Sequence, residues 1–286
     1  MSLRLCVGFS VCYKTCVSRL RVAAISYLNT APLMWDFDWG ELRRKYEVAY
    51  TLPSACAEML RAGTADIGII PAATYATIPD LIIVPDVAIA TRGPVASIYL
   101  ASKVPLDQVK TIAADTSSRS SVALLKVLMA EKWQLEPEFV PAEPKIDKML
   151  RSADAALLIG DPALVLGKKP PPGVQLYDLG EEWVNWTGKP FVFAFWAVRK
   201  AAKPDGQVAR DFQFSRDHGL EPQSIAKIAK EWRTRIGLSE DEVMQYFTRN
   251  IEYQLAPDCL DGLSLFYRYA EETGALPKAP ELEFLI

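Results

Sequence analysis

The stretch that most constrains the fold of this chain is one in which a strand leads into a helix through polar residues. Thr111–Ala114 has the character of a strand and Val122–Met129 that of a helix, and residues 115–121 between them read Asp-Thr-Ser-Ser-Arg-Ser-Ser. Serine and threonine are favoured at helix N-termini because their oxygens accept hydrogen bonds from the free N–H groups there. The remaining N–H groups and the positive end of the helix dipole attract anions. The segment therefore predicts a carboxylate or phosphate site; the alternative is a serine-rich turn that only caps the helix.

Strand and helix candidates alternate along the first part of the chain, which is typical of α/β folds with parallel sheets. A helix is predicted from Pro53 to Ala62 with Gly63 as its stop signal, and residues 177–186 are interpreted as an aromatic loop. From Asp205 onward the pattern predicts four helices, over residues 207–218, 221–236, 239–254 and 257–273.

Two segments of the chain resemble each other. Met59–Asp66 precedes the strand candidate Ile67–Ile70, and Met149–Asp154 precedes the strand candidate Ala155–Ile159. Both read as a helix, a tight turn, an aspartate and a buried strand. The repetition indicates either two similar α/β lobes or a chance likeness between helix-turn-strand units.

Composition excludes several classes of function. The chain has 286 residues, a formal net charge of −3 and no basic stripe, so nucleic acid is not an expected partner. No apolar run reaches the ~18 residues that a membrane span needs. The five cysteines lack metal-ligand spacing and are interpreted as reduced thiols, which favours a cytoplasmic location. The single histidine, His218, is assigned to a helix end at the surface, and no nucleotide-binding glycine motif occurs.

Residues that offer hydroxyl, amide, carboxyl or backbone N–H groups lie at or near the ends of several strand candidates. They are Tyr27 and Asn29 after the first strand, Ser54 at the next helix start, Ser97 in a later strand, and Gly160 and Asp161 after another. Ligands of open α/β sheets bind at the carboxyl ends of the strands, which favours a site built from these groups. The alternative is purely structural: Asn29 and Asp161 would cap helices, and Ser97 would be an ordinary strand residue.

Five segments carry a resemblance to a known family: Ser26–Pro32, Gly63–Pro71, Asp115–Ser121, Leu158–Leu164 and Trp186–Ala194. They are similar to the chorismate dehydratase family, whose members catalyse the first step of the futalosine route to menaquinone. The likeness spans about residues 21–286. It implies a fold like that of type II periplasmic binding proteins, with two α/β lobes, two crossover strands and a ligand cleft. It also implies an enzyme that needs no metal or organic cofactor.

The resemblance suggests how the chain is divided and what it binds. Residues 21–102 and 195–286 would form one lobe, residues 103–194 the other, and residues 1–20 an N-terminal extension that is either partly disordered or an upstream start. Asn29 and Ser97 are expected to be catalytic. The residues expected to bind the substrate, chorismate, are Tyr27, Ser54, Thr116, Ser117, Ser118, Arg119, Ser120, Ser121, Gly160 and Asp161.

The base and the exact activity stay open at this point. Asp161 is a candidate base if desolvation raises its pKa, and the other candidate is the enolpyruvyl carboxylate of the substrate, oriented by Asn29. A sister enzyme of the same fold, dihydroxynaphthoate synthase, carries a histidine base where this chain has Gly160-Asp161. A solute-binding protein that captures a small anion without transforming it is the non-catalytic alternative.

Overall fold

The computed structural model describes residues 19–115 and 117–286, so the expectations for residues 1–18 and for Thr116 lie outside the described residues. The described residues contain ten strands: β1 (Leu20–Ile25), β2 (Tyr46–Thr51), β3 (Ile67–Pro71), β4 (Leu81–Thr91), β5 (Ile98–Ser102), β6 (Thr111–Asp115), β7 (Glu138–Ala142), β8 (Ala155–Ile159), β9 (Gln175–Asp178) and β10 (Phe191–Arg199).

The same residues contain twelve α-helices: α1 (Trp35–Asp38), α2 (Leu42–Lys45), α3 (Pro53–Ala62), α4 (Ala72–Tyr75), α5 (Arg119–Val127), α6 (Ile146–Ser152), α7 (Gly160–Lys168), α8 (Leu179–Thr187), α9 (Gly206–Gly219), α10 (Pro222–Ile236), α11 (Glu240–Gln245) and α12 (Pro257–Glu272). Helix α3 has the predicted bounds and ends at Gly63, which adopts a left-handed φ of 70°. A π-helical turn, Leu128–Lys132, extends α5, and another, Tyr246–Asn250, extends α11.

The strands form two five-stranded sheets with the same topology. The first has the order β2-β1-β3-β10-β4 and the second the order β7-β6-β8-β5-β9. In each sheet the first three strands are parallel, and the fourth runs antiparallel to both of its neighbours. Strands β3 and β8 are buried along their whole length, because helices cover both faces of a parallel sheet. The molecule therefore consists of two α/β lobes.

The aspartates of the two similar segments have the same structural task. Asp66 lies before β3, and its carboxylate accepts a hydrogen bond from the backbone N–H of Arg21 at 2.9 Å. Asp154 lies before β8, and its carboxylate accepts one from the backbone N–H of Thr111 at 3.1 Å. Each aspartate thus ties the start of one parallel strand to the start of its neighbour. The repetition in the sequence reflects two similar lobes.

The chain passes between the sheets twice. It leaves the first sheet after Thr91 and enters the second at Ile98, and it returns to the first sheet at Phe191. By hydrogen-bond pairing β5 belongs to the second sheet and the whole of β10 to the first. The lobe boundaries that the resemblance implies, after residues 102 and 194, remain predictions.

Two sequence-based assignments need correction. Residues 177–186 are not a loop, because Tyr177 and Asp178 end β9 and the rest form most of α8. The third C-terminal helix ends at Asn250 and not at residue 254, because Glu252 leaves the helix to form a bridge with Ala90. In the part of the chain that the structure describes, no helix combines the length and the apolar character that crossing a membrane requires.

Candidate active site

A small cavity lies between the lobes, at the carboxyl ends of β1 and β8. Its volume is about 50 Å³, room for a few water molecules. The first lobe contributes Tyr27 and Asn29, and the second contributes Gly160 and the start of α5, residues 118–121. Phe193 of β10 lies on its wall. The structure thus brings together most of the residues that the sequence indicated.

The described serines at the start of α5 that were expected to bind the substrate differ in what they do. Ser118 is the N-cap residue, with φ −104° and ψ 102°, yet its side chain caps no N–H group of the first turn. Ser121 is buried and lines the cavity. The Ser120 hydroxyl donates to the Phe193 carbonyl at 2.9 Å and accepts from the backbone N–H of Ala73 at 3.1 Å. Ser120 therefore joins the two lobes, and Ser118 and Ser121 are the serines that can meet a ligand.

Ser117 and Arg119 take positions at the edges of this segment. The backbone N–H and the hydroxyl of Ser117 both donate to Asp115 Oδ1, at 2.9 and 2.7 Å. Arg119 is the first residue of α5, and its exposed side chain lies at the rim of the cavity. Asp115 Oδ2 has no hydrogen-bond partner among the described residues, and burial raises the pKa of this carboxyl.

Tyr27 and Gly160 meet across the cleft. Gly160 adopts a φ of 64°, and a Cβ added to it would lie 2.6 Å from Cε2 of the Tyr27 ring. Position 160 therefore requires glycine for two reasons, its left-handed backbone and the closeness of the ring. Burial raises the pKa of the Tyr27 phenol, and the Ser117 side chain offsets part of this effect.

Asp161 is not a helix cap. It is the second residue of α7, whose N-cap is Ile159, and its Oδ1 accepts from the backbone N–H of Leu28 at 2.9 Å. Leu28 belongs to the other lobe, so this hydrogen bond links the lobes. Burial raises the pKa of Asp161 to about 6, although the Leu28 N–H group favours the charged form.

Asn29 presents its side chain to the cavity while its backbone is held from behind. The Tyr253 hydroxyl donates to the Asn29 carbonyl at 3.0 Å, and Tyr253 is buried. The side-chain oxygen of Asn29 accepts from the Thr30 hydroxyl at 3.3 Å. The amide N–H₂ of Asn29 has no hydrogen bond with the described residues, so it is available to a ligand.

Ser97 and Ser54 lie outside this cavity. Ser97 is buried, and its hydroxyl accepts from the Tyr246 hydroxyl at 2.8 Å, while its backbone carbonyl accepts from the Gly160 N–H at 2.8 Å. Ser54 lies in the first turn of α3 on a shallow surface that Arg119 borders from the other lobe. The structure therefore places Ser97 behind the Gly160 turn and Ser54 beyond the rim.

The sequence reading missed Asp178, which organises the segment that leads to Ser97. Its carboxylate accepts from four backbone N–H groups: Val95 at 3.0 Å, Ala96 at 2.6 Å, Gly180 at 3.0 Å and Glu181 at 3.1 Å. Ala96 has a φ of 58°, which is uncommon for a residue other than glycine. The signal was present, because an aspartate followed three residues later by glutamate is typical of a helix start.

No cluster of three or more histidine, cysteine, aspartate or glutamate side chains that could hold a metal ion occurs in residues 19–115 and 117–286. Both cysteines in these ranges, Cys56 and Cys259, are buried free thiols. The cavity is instead lined by hydroxyl, amide and backbone groups together with apolar side chains such as Ile25, Ile89 and Phe193. Such groups suit the binding of a polar organic anion.

Solved structures with similar folds include several binding proteins. A protein from Archaeoglobus fulgidus superposes with a TM-score of 0.68 at 18% identity, covering 90% of this chain and 98% of its own. The alkanesulfonate-binding protein of Xanthomonas axonopodis pv. citri, solved with bound MOPS, gives 0.66 at 15% identity, covering 91% and 95%. The two-lobed periplasmic-binding-protein fold that the resemblance implied is confirmed.

Proteins that are similar in sequence identify the family, whereas the solved structures above identify only the fold. The chorismate dehydratase of Thermus thermophilus is 30% identical over 270 residues, which are 89% of this chain and 94% of that enzyme. The model of a family described as menaquinone biosynthesis matches residues 20–272. The family that the sequence motifs indicated is thereby confirmed: this chain belongs to the menaquinone biosynthesis family.

Proposed function

We propose that this protein is a chorismate dehydratase, a lyase that converts chorismate to 3-[(1-carboxyvinyl)oxy]benzoate and water on the futalosine route to menaquinone. The similarity to the Thermus thermophilus enzyme over 94% of its length carries the proposal. The cavity supports it, because hydroxyl, amide and helix-start N–H groups suit a substrate with two carboxylates and a ring hydroxyl. We further propose that the reaction needs no cofactor and takes place in the cytoplasm, where the buried thiols would stay reduced.

The start of α5 is the proposed site for one carboxylate. The N–H groups of a first helical turn lack partners within the helix, and the Ser118 side chain caps none of them. A carboxylate placed there accepts from these N–H groups and from the Ser118 and Ser121 hydroxyls. Arg119 adds positive charge at the rim, where solvent weakens its attraction.

Asn29 is proposed to hold the reacting end of the substrate from the opposite lobe. Loss of water removes the C3 proton and the C4 hydroxyl, and the ring becomes aromatic, so the main task of the protein is positioning. In the best cases such positioning lowers a barrier by ~7–11 kcal/mol. The amide of Asn29 would orient the enolpyruvyl carboxylate, which takes the C3 proton and passes it to the departing hydroxyl as water forms.

Asp161 is the second candidate for the base. Its pKa of about 6 would suit proton transfer near neutral pH. Its Oδ1, however, already accepts from Leu28 N–H, and Asp161 lies beside the cavity lining and not in it. We therefore assign Asp161 to closing the lobes and keep proton removal with the substrate carboxylate.

Closure of the lobes is part of the proposed cycle. The cavity of about 50 Å³ is too small to admit chorismate from solvent, so the lobes must separate for binding. The Leu28–Asp161 and Ala73–Ser120 hydrogen bonds would break on opening, and the lobes would then close over the substrate in a wider arrangement that excludes water. Ser97 would support catalysis by bonding Gly160 through its carbonyl, and Ser54 would contact the substrate only in the open arrangement.

The geometry argues against the sister activity. A histidine base at position 160 would need a left-handed backbone and the space that the Tyr27 ring occupies. The solute-binding alternative rests on the fold, which this chain shares with an alkanesulfonate-binding protein. Conversion of chorismate to a product would distinguish a dehydratase from a solute-binding protein, which would bind chorismate unchanged.

The test is incubation of the purified protein with chorismate alone, followed by chromatography for the aromatic enol ether. We expect conversion without added cofactor, and binding without conversion would support the solute-binding alternative. The variant Asn29→Ala should lower kcat by about 10²-fold or more, since orientation and proton transfer contribute on this scale. Asn185→Ala, an exposed asparagine on α8, is the matched control. Full turnover by Asn29→Ala would show that the role assigned to Asn29 is wrong.

A further inference from the structure

A second and larger cavity lies beside the first. It has a volume of about 670 Å³ and runs between α3 and α4 of the first lobe and α5 and β7 of the second. We call it the lateral groove and define it by Arg61, Thr74, Asp115, Arg119, Lys126 and Phe139. It is much larger than the cavity where the reaction is proposed to occur.

The two cavities meet at the start of α5. Ser118 and Arg119 line both of them. A ligand in the lateral groove would therefore lie next to the proposed carboxylate site, on the other side of the start of α5. When the lobes separate, the groove and the reaction cavity are adjacent parts of the same cleft.

The lateral groove carries positive charge at its rim, and much of its wall is apolar. Arg61, Arg119 and Lys126 are exposed on its walls, and Glu58, on the same rim, pairs with Arg61. The Phe139 ring forms part of the wall, with Lys126 Nζ 5.5 Å from its centroid. A ring that carries carboxylates matches both features.

Two buried polar side chains on the groove wall lack partners among the described residues. Thr74 is 6% exposed and Asp115 is 1% exposed, and Thr74 Oγ1 and Asp115 Oδ2 have no hydrogen bond. Leaving a buried polar group unpaired costs about 1–3 kcal/mol, so such groups are rare in folded proteins. Burial raises the pKa of the Asp115 carboxyl, and the hydrogen bonds from Ser117 offset part of this effect. Both atoms lie just beneath the groove surface, and rotation about the Cα–Cβ bond of Thr74 would bring its hydroxyl to a ligand there.

We propose that the lateral groove is a staging site that binds the dicarboxylate substrate before the substrate reaches the reaction cavity. The inference rests on the proposed function. Arg119 and Lys126 attract the carboxylates, the ring of the substrate packs against Phe139, and the Thr74 hydroxyl donates to a substrate oxygen. Opening of the lobes then passes the substrate along the start of α5 to Ser118 and Ser121.

The first test removes one cation from the groove. Lys126→Gln should lower kcat/KM by about threefold at low ionic strength, because one unit charge a few ångströms from a carboxylate in water acts on this scale. The loss should shrink in concentrated salt, and kcat should not change. Lys148→Gln is the matched control, since Lys148 is exposed on α6 of the same lobe and lies outside the groove lining. Equal kcat/KM values for the two variants at low salt would overturn the proposal.

The second test concerns the unpaired hydroxyl. Thr74→Val removes a buried polar atom that has no protein partner, so the variant should be as stable as the wild type or more stable. If the hydroxyl binds the substrate, KM should rise about three- to tenfold with kcat unchanged. An unchanged KM at equal stability would contradict the staging role.

Failure of the staging site can be told apart from failure of the proposed function. If the wild type converts chorismate and both Lys126→Gln and Thr74→Val behave as wild type, the dehydratase assignment stands and the staging site falls. If chorismate binds without conversion, stopped-flow association rates replace kcat/KM, and the same contrast between Lys126→Gln and Lys148→Gln is expected. If chorismate neither binds nor reacts, both proposals fall.

Discussion

The contact between Gly160 and Tyr27 offers a sharp test of how the lobes close. Gly160 has a φ of 64°, and Cε2, Cδ2 and Cζ of the Tyr27 ring would lie 2.6, 2.7 and 2.9 Å from an added Cβ. Two costs act on Gly160→Ala. The left-handed backbone of an alanine costs about 1–2 kcal/mol. The ring must also move by about 1 Å to restore ordinary carbon–carbon contact, and overpacking of this kind costs about 1–3 kcal/mol.

The chain contains a control for the first cost. Gly188 ends α8 with a φ of 68°, and an added Cβ would meet nothing within 4 Å. Gly188→Ala therefore carries the backbone strain without the clash. The difference between the two variants isolates the contact with Tyr27.

The second cost falls on the closed arrangement, because Tyr27 and Gly160 belong to different lobes. A penalty of about 1–3 kcal/mol on closure lowers the closed population, and with it kcat/KM, by about 5- to 150-fold. Chorismate turnover and urea unfolding of both variants would measure this. The steric argument would be refuted if the two variants had kcat/KM values within twofold of each other and the same free energy of unfolding.

Two further predictions concern buried carboxylates. Burial raises the pKa of Asp161 to about 6, so the folded state binds this proton more tightly than the unfolded state does. The resulting contribution to the free energy of unfolding is fully present below about pH 4 and is lost as the pH rises through about 6. Asp161→Asn should therefore be more stable than the wild type at pH 7.5, by on the order of 2 kcal/mol, with no gain at pH 4, as urea unfolding at both values would reveal. Asp178→Ala should lose about 3–5 kcal/mol in the same assay, because four backbone N–H groups lose their acceptor; a loss under about 1 kcal/mol would contradict the structural role.

Much of the fold could be predicted from local patterns. Helix α3 has the predicted bounds because Pro53 favours a first turn and Gly63 supplies the left-handed stop. The likeness between Met59–Asp66 and Met149–Asp154 indicated two similar lobes, and both sheets have the same topology. Helix α8 was missed because aromatic residues obscured the capping signal of Asp178.

The candidate site was predicted less completely, because partners far apart in the sequence decide what each polar group does. Asp161 looked like a helix cap, but it bonds Leu28, 133 residues away. Ser97 looked like a ligand donor, but its hydroxyl bonds Tyr246, 149 residues away. Neither partner could be identified from local spacing.

By itself the sequence determined the α/β class, the family and the position of the polar helix start at residues 115–121. Those properties depend on local order: a strand, a polar turn and a helix follow one another whatever the rest of the chain does. Only the tertiary structure decided which hydroxyls can meet a ligand. Successive helical residues point about 100° apart. Ser120 therefore turns to the Phe193 carbonyl of the other lobe, while its neighbour Ser121 faces the cavity.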